Sequence, residues 1–331
     1  MFKPEKVIIE EKALQYQMGK NLYDRFTKEN IEVIIQKRAS LTYSSENKAE
    51  RYKEGKKTLI LGVNKNSKFE SCKPSADFQL PLVSGCSGMC EYCYLNTRMG
   101  DKPYIKVYVN NNEIIKNAVD ISKERERTSF EASAFSDPIP VEPYTNSLRD
   151  TITAFKNYDN IEFRFVTKYT DVDSLLSVGN KKTTIRFSVN PAHIIRKYEH
   201  LTPSLEERLK ASEKILKAGY KLGIIIAPVF IYEGYRNDYT DLIKKVQNIY
   251  MGEKIEIEII SHRFTEKGRE TTLEIFPDTT IPLSEADRKY KFGQFGYGKY
   301  VYKDEEIKEM KEYFRGEIEK FLPSAEIKYI I

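Results

Sequence analysis

The strongest constraint on the fold is a rhythm of short apolar runs separated by amphipathic stretches. The runs are "IEVIIQ" (31–36), "TLILGV" (58–63), "FQLPLV" (78–83), "YIKVYV" (104–109), "SFEASAF" (129–135), "IEFRFV" (161–166), "TIRFSV" (184–189), "LGIIIAPVF" (222–230) and "KIEIEII" (254–260). Helical patterns lie between several of them, clearest in "PSLEERLKASEKILKAG" (203–219). There Leu205, Leu209, Ile215 and Leu216 fall on one face, and Gly219 follows as a C-cap. Strands alternating with helices predict a parallel sheet with crossover connections. The count fits a full or partial barrel, in which the functional loops follow the strand C-termini.

The last segment breaks the rhythm. "KYKFGQFGYGKYVY" (289–302) mixes aromatics, Gly and Lys, as a hairpin would. Residues 305–322 form an amphipathic helix with Ile307, Met310, Phe314, Ile318 and Phe321 as its apolar stripe. Three regions are therefore expected: an N-terminal α/β extension over 1–75, a barrel over 76–285, and a hairpin plus C-terminal helix over 286–331.

One loop carries the chemistry. "SGCSGMCEYCYLNT" (84–97) holds Cys86, Cys90 and Cys93, three of only four cysteines. No run of eighteen apolar residues exists and "MFKPEKVIIE" has no signal-peptide core, so a cytoplasmic chain without a membrane span is expected. In that compartment clustered cysteines point to metal binding or catalysis rather than disulfides. Structural zinc wants four ligands, and His193, His200 and His262 are remote in sequence. Cys72 is the one residue that would complete a four-cysteine zinc site. An iron–sulfur cube held by three thiolates instead leaves one iron open to bind a substrate. Gly85 and Gly88 suit a backbone wrapped closely around such a group, with amides aimed at sulfur. The net charge of +5 is mild: it permits a polyanionic partner without demanding one.

Cys-x3-Cys-x2-Cys with an aromatic before the last cysteine, here Tyr92, resembles the radical S-adenosylmethionine enzymes. The resemblance narrows along the chain. "KPSADFQLPLVSGCSGMCEYCYLNT" (73–97), "FEASAFSD" (130–137), "VTKYTDVDSLL" (166–176), "IRFSVNP" (185–191) and "FGYGKYVY" (295–302) together look like the spore photoproduct lyase family. That resemblance implies a partial (β/α)6 TIM-type barrel with an N-terminal extension and a C-terminal hairpin plus helix. It also implies light-independent DNA repair, in which 5-thyminyl-5,6-dihydrothymine is reversed to two thymines by a 5′-deoxyadenosyl radical. The implied cofactors are a [4Fe–4S] cluster on Cys86, Cys90 and Cys93, and S-adenosylmethionine. Ser136, Lys168, Ser188 and Ala227 match positions that contact S-adenosylmethionine in the family, with Tyr92 bordering that pocket and Tyr94 in a hydrogen-atom relay. Lys291, Tyr297 and Lys299 are expected at the DNA. The expected partners are UV-damaged duplex DNA and a flavodoxin or ferredoxin as electron donor, for a monomer working in the spore core.

One position departs from the family pattern. The family's "FEA" segment carries a cysteine that gives a hydrogen atom to the repaired thymine; here Ala134 stands there. An alanine C–H bond is much too strong for that role. Cys72 is left over, and the fourteen-residue segment before Cys86 is long enough to double back to the site. Cys72 is therefore expected to act as the donor, with Tyr94 linking it to the adenosyl radical. Two other readings stay open on sequence alone: another radical reaction on nucleic acid, and a zinc-stabilised nucleic-acid-binding protein.

Overall fold

The structure, a computed structural model, describes every residue except Met1, Ser67, Asp101, Ser133, Met251, Gln294 and Phe295. Ser133 and Phe295, which belong to two of the segments carrying the resemblance, thus lie outside the described residues. The larger of two main sheets has eight strands. Their spatial order is Glu326–Ile330, Glu256–Ser261, Lys221–Val229, Thr183–Val189, Ile161–Thr167, Thr128–Glu131, Ala76–Gln79 and Ser71–Cys72, the chain order run backwards. All neighbours are parallel except the last two, which form a short antiparallel edge. Sequential order without reversal is what right-handed crossovers produce, and the sheet curls into an open half-barrel with helices outside.

The central strands explain their own sequence. Thr183–Val189 is buried along its whole length, so it cannot show polar alternation. Ile161–Thr167 alternates buried and partly exposed residues, placing Phe163 and Phe165 in the core while Arg164 faces the barrel interior. The helix Leu205–Lys217 opens with a capping box, Ser204 and Glu207 each bonding the other's backbone amide.

The second sheet orders Glu32–Gln36, Lys6–Glu10, Thr58–Gly62, Ile105–Tyr108 and Val83–Ser84, parallel except for the last pair. Here the sequence reading needs correction. "FQLPLV" reads as one strand, yet it divides: Ala76–Gln79 joins the half-barrel and Val83–Ser84 joins the second sheet. Pro81 is the reason, since a residue without an N–H cannot continue a central ladder. The run at 104–109 likewise pairs with the N-terminal strands, Leu59 opposite Ile105. The two sheets therefore interleave in sequence, and a cut at 75 does not separate them.

The C-terminal region is also more integrated than its composition suggests. The helix Asp304–Phe321 buries Met310, Phe314 and Ile318, with the Phe314 ring 5.4 Å from that of Tyr239 on the helix Tyr235–Tyr250. After it the chain supplies Glu326–Ile330, the outermost half-barrel strand, Ile257 opposite Ile327. Phe314→Ala should lower unfolding free energy by about 3–5 kcal/mol, read from the urea midpoint, because the cavity forms in a fully packed seam. No helix among the described residues is long and apolar enough to cross a membrane.

Candidate active site

The cysteine loop begins where Val83–Ser84 ends. Gly85 adopts φ +83°, and a Cβ there would stand 2.3 Å from the Tyr104 carbonyl oxygen, so only glycine fits. Its N–H donates to Phe135 O at 2.9 Å and its carbonyl accepts from Asp137 N at 3.2 Å, which ties the loop to the segment carrying Ala134 and Ser136. Met89–Cys90 pairs with Glu199–His200. Beyond it, Asn96 donates to Cys90 O at 3.0 Å while accepting from the buried Tyr52 hydroxyl at 2.5 Å.

Cys90 is buried and Cys86 and Cys93 are half-buried, and each thiol is close enough to the others for their charges to interact. Burial, then the charge of Asp137, pushes the Cys86 thiol up to about 12, and burial also pushes Cys90 well up. Cys86 Sγ accepts the Gly88 N–H at 3.3 Å. Among the described residues no three His, Cys, Asp or Glu stand close enough to share a single metal ion. Thiolates of an iron–sulfur cube each take a separate iron and stand further apart, and ionise because the irons replace their protons. The three thiols and the amide on sulfur fit that group.

Three of the five expected cofactor contacts, Tyr92, Lys168 and Ser188, meet beside the loop. Lys168 Nζ donates to the Tyr92 hydroxyl at 2.9 Å and to Ser188 Oγ at 3.2 Å. Ser188 lies opposite Ile225 on the neighbouring strand, two residues before Ala227, where the register to Glu256–Ser261 shifts. Ser136 bridges to Gly85 at the start of the cysteine loop, its hydroxyl donating to Ala132 O at 3.0 Å. Lys168 is not a free cation, however. Its ammonium is 3.0 Å from Glu199, a fully buried carboxylate that also receives Tyr92 O–H and the Arg208 guanidinium at 2.7 Å. Burial alone would raise the Glu199 carboxyl; the Lys168 and Arg208 charges reverse this and hold it at about 2. Sequence reasoning missed Glu199 because nothing in "KYEHL" marks it. It missed Asp137 although that residue lay inside a quoted segment. Asp137 accepts from Lys168 N at 2.9 Å and Thr167 Oγ1 at 2.8 Å, and burial brings its carboxyl up to about 6.

The two expected relay residues, Tyr94 and Cys72, lie near enough for their charges to interact. The Tyr94 ring is exposed, but its hydroxyl points inward and donates to the carbonyl of Ala134. Crowding there pushes the phenol up, followed by the charge of Cys93 and, more weakly, that of Cys72. Cys72 begins a turn closed by Ser75 N donating to Cys72 O at 3.0 Å. The turn is pinned from below: Ser75 Oγ donates to Glu131 at 2.8 Å and its carbonyl accepts from Arg164 at 3.1 Å. Glu131 in turn pairs with Arg186, and Arg186 and Arg164 both reach Glu258. Burial first, then Glu131, lifts the Cys72 thiol to about 11.

This network floors a cavity of about 990 Å³ inside the half-barrel. Arg164, Arg186, Arg263, Lys291, Lys299 and Lys311 line it, against Glu258 and Asp304. Lys291 and Lys299 face each other across the hairpin Lys289–Phe292/Gly298–Val301. Burial, with the charges of Arg263 and Lys291, pushes the Lys299 amine down. Like charges crowded together favour a polyanionic guest. Tyr297 is half-exposed with Lys299 Nζ 5.5 Å from its ring.

Comparison with known proteins gives a consistent result. The family model described as "Spore photoproduct lyase" matches residues 2–331. A spore photoproduct lyase of Clostridium acetobutylicum is 46% identical over 330 residues, 98% of each chain. That of Bacillus subtilis (strain 168) is 40% identical over 338 residues, 99% of this chain and 98% of the relative. A solved spore photoproduct lyase complexed with dinucleoside spore photoproduct superposes with a TM-score of 0.95 at 40% identity, covering 100% of this chain and 99% of that one. A variant of that enzyme, with one cysteine changed to alanine and one serine to cysteine, holds AdoMet and the dinucleoside and gives 0.94 over the same shares.

Proposed function

The chain belongs to the spore photoproduct lyase family, and on that premise we propose that it repairs the spore photoproduct to two thymines as a radical S-adenosylmethionine lyase. The observation carrying this reading is the loop of three interacting thiols at the mouth of a half-barrel whose interior is a large, cation-lined cavity. When bound, a [4Fe–4S] cluster on Cys86, Cys90 and Cys93 together with S-adenosylmethionine supplies the 5′-deoxyadenosyl radical that starts the reaction.

The protein's own residues then have three tasks. Tyr92, Lys168, Ser188, Ser136 and Ala227 shape the S-adenosylmethionine pocket, and Glu199 holds Lys168 and Tyr92 in one orientation. Lys291 and Lys299 meet phosphates of damaged duplex DNA, and Tyr297 leans on a base exposed when the lesion rotates out. Cys72 finishes the repair. Once the methylene bridge has broken, its S–H gives a hydrogen atom to the thymine carbon radical, leaving a sulfur radical. The Tyr94 O–H restores that S–H, and the tyrosyl oxygen regains its hydrogen atom from the 5′-deoxyadenosine methyl group that took one from the lesion at the start, so both residues end as they began. No proton or electron leaves the site.

Only a protonated sulfur has a hydrogen atom to give, so a thiol held near 11 stays competent at neutral pH. The exchange of one cysteine for another in the AdoMet-bound variant has the same chemical sense as Ala134 together with Cys72. A flavodoxin or ferredoxin delivers the electron on this reading, to a monomer in the spore core. The deciding experiment is anaerobic, reduced turnover of dinucleoside spore photoproduct, with thymine release and S-adenosylmethionine balance measured together. Absence of turnover with a full iron–sulfur complement would refute the substrate assignment. In duplex binding, Lys291→Ala and Lys299→Ala should each weaken affinity and flatten the dependence on log salt by about 1 unit.

A further inference from the structure

Lys56 is 4% exposed, in the last turn of the helix Lys48–Lys56. Its ammonium donates to the Cys86 carbonyl at 2.7 Å and lies 5.1 Å from the centre of the Tyr52 ring. Among the described residues it makes no ion pair. Buried cations are normally matched by an anion. Arg186 and Arg208, equally buried, each hold a carboxylate, and Lys168 has Glu199. Lys56 has a carbonyl, a ring face and the carboxyl end of its own helix, none of which carries a full negative charge.

The same helix face looks onto the whole cysteine loop. Tyr52 stands one turn before Lys56 and is buried, and its hydroxyl holds Asn96, which holds Cys90 O. The phenol is pushed well up by burial and then by the charges of Cys93, Cys90 and Cys86 together. A cube of iron and sulfide on three thiolates carries net negative charge, and gains one unit more on reduction. We propose that Lys56 is the buried counter-ion of that cluster, and that its charge sets how readily the cluster accepts an electron. This rests on the radical S-adenosylmethionine reading above. A positive charge held in a dry site favours the more negative, reduced state.

The test is a redox titration of the reconstituted protein followed by electron paramagnetic resonance. Lys56→Gln removes the charge while leaving a polar N–H donor, one bond shorter, on the side facing the Cys86 carbonyl. It should make reduction at least tenfold less favourable, a midpoint lower by about 59 mV for one electron. Lys56→Arg, which keeps the charge, should hold the wild-type midpoint. A fully loaded Lys56→Gln protein with an unmoved midpoint would overturn the proposal, and so would equal shifts in both variants. If wild type takes up no iron at all, the functional reading itself fails, and this inference with it.

Discussion

Cys90→Ala should purify folded and colourless from oxygen-free preparations, and should release no thymine after reconstitution with iron and sulfide. The argument is one of ligand count. Three thiolates are the fewest that can hold the cluster while leaving one iron open, and the loop contains no spare donor: Glu91 is engaged by His200 at 2.6 Å and by Thr279. The structural cost should be small by contrast. Burial already keeps the Cys90 thiol neutral when no metal is present, so its removal deletes one sulfur and no charge. A loss of about 1 kcal/mol in urea is expected, the scale of a small core deletion. A folded variant with no iron, no sulfide and no turnover is the predicted result. Full iron content in Cys90→Ala would mean that the loop does not hold the cluster.

The second large effect concerns what is made rather than how much. Cys72→Ala should still consume spore photoproduct, because the steps before quenching do not use the thiol. Clean thymine should become the minor product, and adducts of the unquenched thymine radical the major ones. Adding Ala134→Cys to that variant should restore thymine, since residue 134 already receives the Tyr94 hydroxyl and a thiol there would join the relay. Wild-type product purity should be flat between about pH 7 and 9, because a thiol raised to about 11 keeps its hydrogen across that range. Product analysis by mass spectrometry reads all of these outcomes. Unaltered thymine yield from Cys72→Ala would remove the donor role, and Tyr94→Phe would then be the next variant to examine.

Much of this molecule is legible in linear order, for a physical reason. A strand buried on both faces must be apolar throughout, so Thr183–Val189 and the Ile224–Ile226 stretch announce themselves without any partner in view. Ligands three and four residues apart on one loop are also local, which is why the cysteine spacing pointed to a cluster. Strand assignment to a sheet is not local. Nothing in "FQLPLV" says that its halves serve different sheets, beyond the missing N–H of Pro81. The five-residue strand Glu326–Ile330 is too short and too polar to stand out before Glu256–Ser261 is there to receive it.

The amino-acid order by itself determined the strand–helix alternation, the three-thiol loop and the missing thiol at Ala134, because each is a matter of residue type and short spacing. Only the tertiary structure decided that Glu199 would neutralise Lys168, that Glu131 and Arg164 would pin the Cys72 turn, and that Lys56 would be buried with no ion-pair partner among the described residues. Those are relations between charges far apart in the chain, and their energies depend on distance and on exclusion of water, which packing alone creates.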